Sequence, residues 1–302
     1  MAATRQPPRV PVPPARPEAL RAGVFRGSRV VRKGLLPPDQ LRSRAWRRLR
    51  HDVYADARLP VDHRLKVLGV SCVAPDGTTF AGLSALVLAG GTQFATADDP
   101  VEVLLPVGRR WRPGPGVRVG VSSSADDVVV DRHRLSRTGP VWTALDLIRR
   151  GGLDDGVVLL DRLAQEGLAD VAAVRAAAER LPRCRGSRMA RDVAGLADGL
   201  AESPQETRLR LLMHRAGLPA PVAQFRIFDQ EGFIARVDFA YPDLKIAIEY
   251  DGLWHAEPGQ FAKDRKRLNR LSEAGWLVIF VTAADLKHPE RLLARLVAEL
   301  AH

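Results

Sequence analysis

The sequence predicts an α/β chain, multi-domain in the α+β sense, with an αβββαβα core in its last hundred residues. Three observations predict it. Three strand-like stretches lie between helical ones after residue 203, residues 57–200 mix strand and helix patterning, and 302 residues suffice for more than one domain. Hydrophobic residues make up 46% and charged residues 27% of the chain. That is ordinary globular composition and excludes a wholly disordered or fibrous protein.

Residues 1–23 read as a disordered Pro/Arg-rich tail, with six prolines between Pro7 and Pro17. Residues 24–56 read as a small basic winged-helix-like module. Val30, Val31, Leu35 and Leu36 alternate with arginines, Pro37-Pro38 can open a short helix, and Trp46–Arg50 with Val53-Tyr54 makes a basic hairpin. Arg47 and Arg48 on that hairpin are candidate nucleic-acid contacts. Lys and Arg number 46 against 35 Asp and Glu, a net charge of +11. Residues 1–56 hold 13 basic and 4 acidic side chains, whereas residues 57–302 hold 33 and 31. The surplus favours a polyanionic partner and sits in the N-terminal fifth.

Residues 57–200 read as one mixed α/β region with a helical C-terminal part and the role of a scaffold. Val101–Leu105, Val117–Val121 and Val128–Val130 have strand composition, and Leu145 to Val171 have helical spacing. The Pro/Gly-rich stretch Arg109–Gly116 lacks the context of a phosphate loop and reads as a plain connection. Cys72 and Cys184 stand far apart, which excludes a disulfide framework or a Cys-based zinc site and points to a reducing cytoplasm. No apolar run has the length of a membrane span, so no membrane association is expected.

Residues 201–302 carry the chemistry. Ser203-Pro204-Gln205-Glu206 is a capping-box pattern that opens a helix ending at Gly217. Strands follow at Val222–Phe228, Phe233–Tyr241 and Leu244–Tyr250, then a helix over Gln260–Ala274, a strand over Trp276–Thr282 and a last helix over Pro289–Leu300. If Pro242-Asp243 is a two-residue hairpin tip, Asp238 faces Ala247, and Glu249 and Asp251 share its side of the sheet. Ile246, Ile248 and Tyr250 then take the other side. A three-residue turn would break this arrangement. Crowded carboxylates call for a cation between them, and an all-oxygen set suits Mg²⁺ or Mn²⁺. Such an ion activates water and stabilises charge on a phosphate being cleaved. The plainer reading makes these residues strand-end and surface acids.

Arg236-Val237-Asp238-Phe239, Glu249-Tyr250-Asp251-Gly252-Leu253-Trp254-His255, Asp264-Arg265-Lys266-Arg267-Leu268 and Gly275-Trp276-Leu277-Val278 together resemble the very-short-patch-repair-like endonuclease domain family, of restriction-endonuclease-like fold. The region before them resembles the winged-helix part of abortive-infection-type antitoxins. The first resemblance implies Asp238 and Glu249 as metal ligands and Glu206 as the acid on the first helix, though its capping role explains Glu206 equally well. Nucleases of this fold carry Glu-x-Lys on the third strand. Here the run is Glu249-Tyr250-Asp251, and the narrower family places a histidine afterwards, here His255. His255 and Asp251 would move a proton or position water; alternatively His255 ties down the loop.

On the following helix, Asp264, Leu268 and Leu271 share a core-facing side. Lys263, Lys266, Arg267 and Arg270 form a basic stripe, either a solvated face or a grip on DNA phosphates. The expected function is metal-dependent hydrolysis of DNA, most simply duplex, in repair or in defence against foreign DNA. The alternatives are a DNA-binding regulator or antitoxin-like protein on an inactive nuclease fold, and a toxin–antitoxin partner acting through protein contacts.

Overall fold

The computed structural model describes residues 14–122, 127–131, 134–251 and 260–301. The chain divides into two compact units, Met1–Gly139 and Pro140–His302. This boundary falls inside the stretch that sequence patterning treats as one middle region.

In the first unit, β1 (Val24–Arg26), β2 (Trp46–Arg50) and β3 (Val53–Asp56) form an antiparallel sheet in the order β1-β3-β2. The expected basic hairpin is present, but it gains β1 as a third strand. The short helix expected after Pro37-Pro38 is a 3-10 turn at Gln40–Arg42, and the six-residue α1 (Gly27–Arg32) precedes it. The Asp52 carboxylate holds the start of α1, accepting from the Ser28 amide at 2.7 Å. This supplies from the hairpin turn a cap that Arg26, at the N-cap position, lacks. Leu20, Val30, Leu36, Ala45 and Trp46 close a small core there.

Then follow α2 (His63–Ser71), β4 (Thr79–Phe80), α3 (Gly82–Leu88), β5 (Val101–Pro106), β6 (Val117–Ser122), β7 (Val128–Val130) and β8 (Ser136–Thr138). The five strands make a mixed sheet in the order β6-β5-β4-β8-β7. Val67 and Val70 of α2 pack in one core with Phe80, Val101 and Val103.

The second unit opens with α4 (Pro140–Ile148), α5 (Leu153–Gln165), α6 (Val171–Arg180) and α7 (Ser187–Leu196). It continues through α8 (Pro204–Arg215), β9 (Val222–Asp229), β10 (Gly232–Tyr241), β11 (Ile246–Tyr250), α9 (Gln260–Glu273), β12 (Leu277–Val281), α10 (Ala283–Lys287) and α11 (Glu290–Leu300). From α8 onward the expected αβββαβα order is present, with the short α10 added. The sheet runs β12-β11-β10-β9, with β12 parallel to β11 and the other pairs antiparallel. Leu209 and Met213 of α8 and Leu292 and Leu296 of α11 share a core with Phe239, Ile246, Ile248 and Ile279. A second core holds Leu271 with Ala240 and Ala247, and Leu268, Trp276 and Val278 pack against it.

One buried carboxylate ties α5, before residue 200, to the rest of this unit. Asp161 on α5 is 1% exposed. It accepts from the amides of Asp198 and Gly199 at 3.0 and 2.8 Å, from the Thr207 hydroxyl at 2.9 Å and from Arg210 at 2.8 Å. It thereby ties α5 and the turn before α8 to α8 itself. Removing one partner of a buried ionic network leaves the other charge uncompensated, at a cost of about 3–5 kcal/mol. Asp161→Ala is expected to destabilise the protein by that order, read as a lowered urea midpoint by circular dichroism. A loss under about 1 kcal/mol would show that the α5–α8 junction does not depend on this network.

Candidate functional site

The site is built where β10 and β11 part. Their pairing runs Tyr241↔Ile246, Ala240↔Ala247 and Phe239↔Ile248, and one further step along this register brings Asp238 opposite Glu249. The hairpin tip is longer than the expected two residues: a 3-10 turn at Pro242–Leu244, then Lys245 in the left-handed region at φ 52°. Asp238 therefore faces Glu249 and not Ala247. The register differs from the expected one by two residues, an even number, so the split of side chains between faces survives. Ile246 and Ile248 lie in the α8/α11 core with Tyr250 packed against it, and Ala247 lies in the α9 core.

At Asp238 the ladder gives way to a side chain. The Asp251 amide bonds across to Val281 O at 2.7 Å, so the preceding amide, of Tyr250, is directed towards β10. It donates to Asp238 Oδ2 at 2.7 Å. The β9 side is also irregular. Gln224, between Ala223↔Phe239 and Phe225↔Val237, has φ 53°, a conformation that costs a residue with a side chain about 1–2 kcal/mol. That conformation accompanies a contact to the site: Gln224 Nε2 donates to Glu206 Oε2 at 2.9 Å.

Glu206, in the first turn of α8, is buried. Its amide donates to Ser203 Oγ at 3.2 Å, as the capping pattern requires. Its carboxylate does not return to the Ser203 amide to close the box; it accepts from the Glu202 amide at 2.9 Å and from Gln224. Glu206 is thus placed by the cap, and its charge acts on Asp238. Burial pushes the Asp238 carboxyl up to about 6. The Tyr250 amide opposes this, and the charges of Glu206, Glu249 and Glu202 raise it further.

Glu249 has a different partner. Arg267 on α9 grips it with two bonds, Nη1 to Oε1 at 2.6 Å and Nη2 to Oε2 at 3.0 Å. This pairing raises the Arg267 pKa, and the charges of Asp264 and Asp238 add to it. Among the described residues, no three Asp, Glu, His or Cys side chains stand close enough together to hold a metal ion. The donors have the chemistry of a hard-cation site, carboxylate oxygens alone, while both Glu249 oxygens are taken by Arg267.

The remaining sequence candidates divide. Asp251 is exposed at the end of β11, and His255 lies outside the described residues. Lys263 and Lys266 are exposed, and so is Asp264, contrary to its expected core-facing place. Residues 263–266 of α9 are all exposed, and Arg267 is half-buried. Arg270 leaves the basic stripe: it grips Asp229 through Nε at 3.0 Å and Nη2 at 2.6 Å and donates to Phe233 O at 3.3 Å. In the first unit, Arg47 donates to Leu59 O and Ala57 O at 2.9 and 3.1 Å, while Arg48 is exposed. Gln224 and the pairing of Arg267 with Glu249 had no signal in the sequence beyond the basic stripe. No helix among the described residues is long and apolar enough to cross a membrane.

No family model matches the chain. Two relatives from Mycobacterium tuberculosis, the uncharacterized proteins MT2308 (strain CDC 1551 / Oshkosh) and Rv2248 (strain ATCC 25618 / H37Rv), are each 36% identical over 210 residues, covering 68% of this chain and 76% of theirs. Among solved structures, the RV2827C protein from Mycobacterium tuberculosis matches with a TM-score of 0.39 at 17% identity, over 69% of this chain and 84% of that one. With that identity over three quarters of the relatives' length, the chain belongs to the family of MT2308 and Rv2248.

Proposed function

We propose that the second unit is a metal-dependent nuclease that hydrolyses DNA phosphodiester bonds, of the very-short-patch-repair-like kind its motifs resemble, acting on DNA in the cytoplasm. One observation carries this reading: Asp238, on β10 with its carboxylate bonded to the Tyr250 amide, has its proton affinity raised by burial and by the charges of Glu206 and Glu249. A fold spends stability on such crowding chiefly at a site. Asp238 and Glu249 would hold Mg²⁺ or Mn²⁺ with Glu206 beside them, and the bound ion would supply an activated water and neutralise charge on the phosphate. Glu206 is kept in place by the Glu202 amide and Gln224, and Asp238 by the Tyr250 amide. Lys263 and Lys266, exposed on the first turns of α9, would hold the DNA backbone, and Arg267, freed from Glu249, would add a third cation. Proton transfer falls to His255 and Asp251 on the strength of the resemblance.

A second reading, a DNA-binding regulator or antitoxin-like protein on an inactive nuclease fold, is favoured by one contact. Arg267 occupies both Glu249 oxygens, and the third strand lacks the lysine of Glu-x-Lys.

The purified full chain is expected to nick supercoiled plasmid DNA with Mg²⁺ or Mn²⁺ and not with EDTA. Asp238→Asn and Glu249→Gln should each reduce cleavage at least a hundredfold. Cleavage that persists in Asp238→Asn, or without metal, overturns the assignment; salt-sensitive DNA binding without cleavage establishes the second reading.

The Asp238 carboxyl also makes a prediction about stability. Its folded pKa of about 6 lies above the ordinary value near 3.9. The folded state therefore holds this proton while the unfolded chain has released it, and stability falls as pH rises from about 4 to 6. The full penalty, on the order of 2–3 kcal/mol, applies above that window and vanishes below it. Asp238→Asn, which keeps an acceptor for the Tyr250 amide, should be more stable than the parent protein at pH 7–8 and equal to it near pH 4, by urea denaturation. Mg²⁺ should raise the melting temperature of the parent at pH 7.5 and leave that of the variant unchanged. A pH-independent difference between the two would sink this account of Asp238.

A further inference from the structure

The first unit contains an open cavity of about 790 Å³ between the β2–β3 hairpin, α2 and the Arg109–Gly116 connection. Its lining is cationic: Arg48, Arg50 and His51 come from the hairpin, Lys66 from α2 and Arg112 from the connection, with Arg47 beside them. Among the described residues no carboxylate lines it. The first unit has acids elsewhere, so this separation is local.

Arg50 is what makes the connection a wall. Its Nη1 donates to Pro113 O at 2.8 Å and its Nη2 to Pro115 O at 3.2 Å. The backbone turns there through Gly114 and Gly116, at φ 78° and 73°, conformations that favour glycine. Arg47 is fastened in the same manner to the carbonyls of Leu59 and Ala57. Both guanidiniums are therefore held by neutral backbone oxygens. Each also holds backbone in place, so the cavity keeps its shape without any ligand. Arg48 and Arg112 are exposed and Lys66 is half-buried at the rim. The connection also supplies an aromatic wall: Trp111, half-buried and packed against the core of Val67, Val70, Phe80, Val101 and Val103, lines the same space.

A flat basic patch suffices for the backbone of a duplex. A cavity adds something only for a ligand that enters it, and this volume lies in the range of small-molecule pockets. Several cations beside an anchored indole suit a group that is anionic at one end and a flat π-system at the other. We propose that this cavity binds the phosphate-and-base unit of a nucleotide, with phosphate oxygens on Arg48, Lys66 and Arg112 and the base against Trp111. The unit belongs either to an unpaired strand or to a free nucleotide. The site is separate from the carboxylate site of the second unit and does not depend on its activity.

The test uses the full-length protein and follows tryptophan fluorescence on titration with a single-stranded oligonucleotide, the same sequence as duplex, a nucleoside triphosphate, and inorganic triphosphate as the base-free polyanion. The expected result is saturable quenching by the single strand or the nucleoside triphosphate, whichever is the source, with binding to inorganic triphosphate at least tenfold weaker. Trp111→Phe should abolish the quenching and weaken binding measured by calorimetry. Lys66→Gln/Arg112→Gln should weaken it about tenfold or more, with Arg112→Gln alone as the second variant if the pair does not fold. Asp238→Asn should bind as the parent does, which separates this site from the nuclease reading. Equal binding of inorganic triphosphate, binding of duplex alone, full affinity in Trp111→Phe, or no binding in any arm overturns the proposal.

Discussion

The geometry of the second unit depends on one hydrogen bond, from the Tyr250 amide to the Asp238 carboxylate. Inside a sheet, an amide that loses its carbonyl partner must find another acceptor. The pairing of β10 with β11 ends at Phe239↔Ile248, and a side chain takes over where the ladder stops. The Tyr250 amide thus keeps an acceptor where the strands part, and Asp238 there feels the charges of Glu206 and Glu249. Glu206 comes from α8 and Glu249 from β11, each set in place by its own local structure: a serine cap in one case, strand alternation in the other.

The other acids near Asp238 have donors and Asp238 has little beyond one amide. Glu206 has the Glu202 amide and Gln224, Glu202 has Arg236 at 2.6 Å, and Glu249 has both arms of Arg267. The cations nearest the sheet are thus divided among fixed partners. The basic stripe of α9 separates accordingly. Arg267 and Arg270 are bound to carboxylates on the sheet side, whereas Lys263 and Lys266 remain exposed. Arginine's planar fork suits the two bidentate positions, and lysine stands at the solvent positions.

Much of this was legible in the sequence because it rests on period and punctuation. Ser203-Pro204 marked the start of α8, and the alternation of Ile246, Ile248 and Tyr250 marked which face of β11 is apolar. The loop length was not legible: Pro242-Asp243 has the composition of a two-residue tip, and nothing local shows that Leu244 and Lys245 complete a wider turn. The side assignment survived because the change in register was even. The domain boundary was missed for a related reason. Asp161 reads as one more polar residue on an amphipathic helix, and only its four long-range donors reveal that α5 and α8 form one body. Gln224 is beyond sequence reasoning, since nothing local marks its left-handed backbone or its contact with Glu206.

The +11 charge has a similar division. By count it belongs to the N-terminal fifth, yet Arg47 and Arg50 in that fifth are fastened to carbonyls and shape a cavity. The missing cation of the third strand has its counterpart across the sheet. Where a Glu-x-Lys strand would place an ammonium, Asp251 stands exposed, and the positive charge beside Glu249 arrives from α9 as Arg267. A guanidinium keeps its proton at any physiological pH, so Glu249 always has a counter-charge. Asp238 makes no direct ion pair among the described residues and interacts with Arg267 only through its field, so burial first, and then the like charges of Glu206, Glu249 and Glu202, raise its proton affinity. Two carboxylates facing each other across one pair of strands therefore have unlike environments, which is the condition for giving them unlike chemical roles.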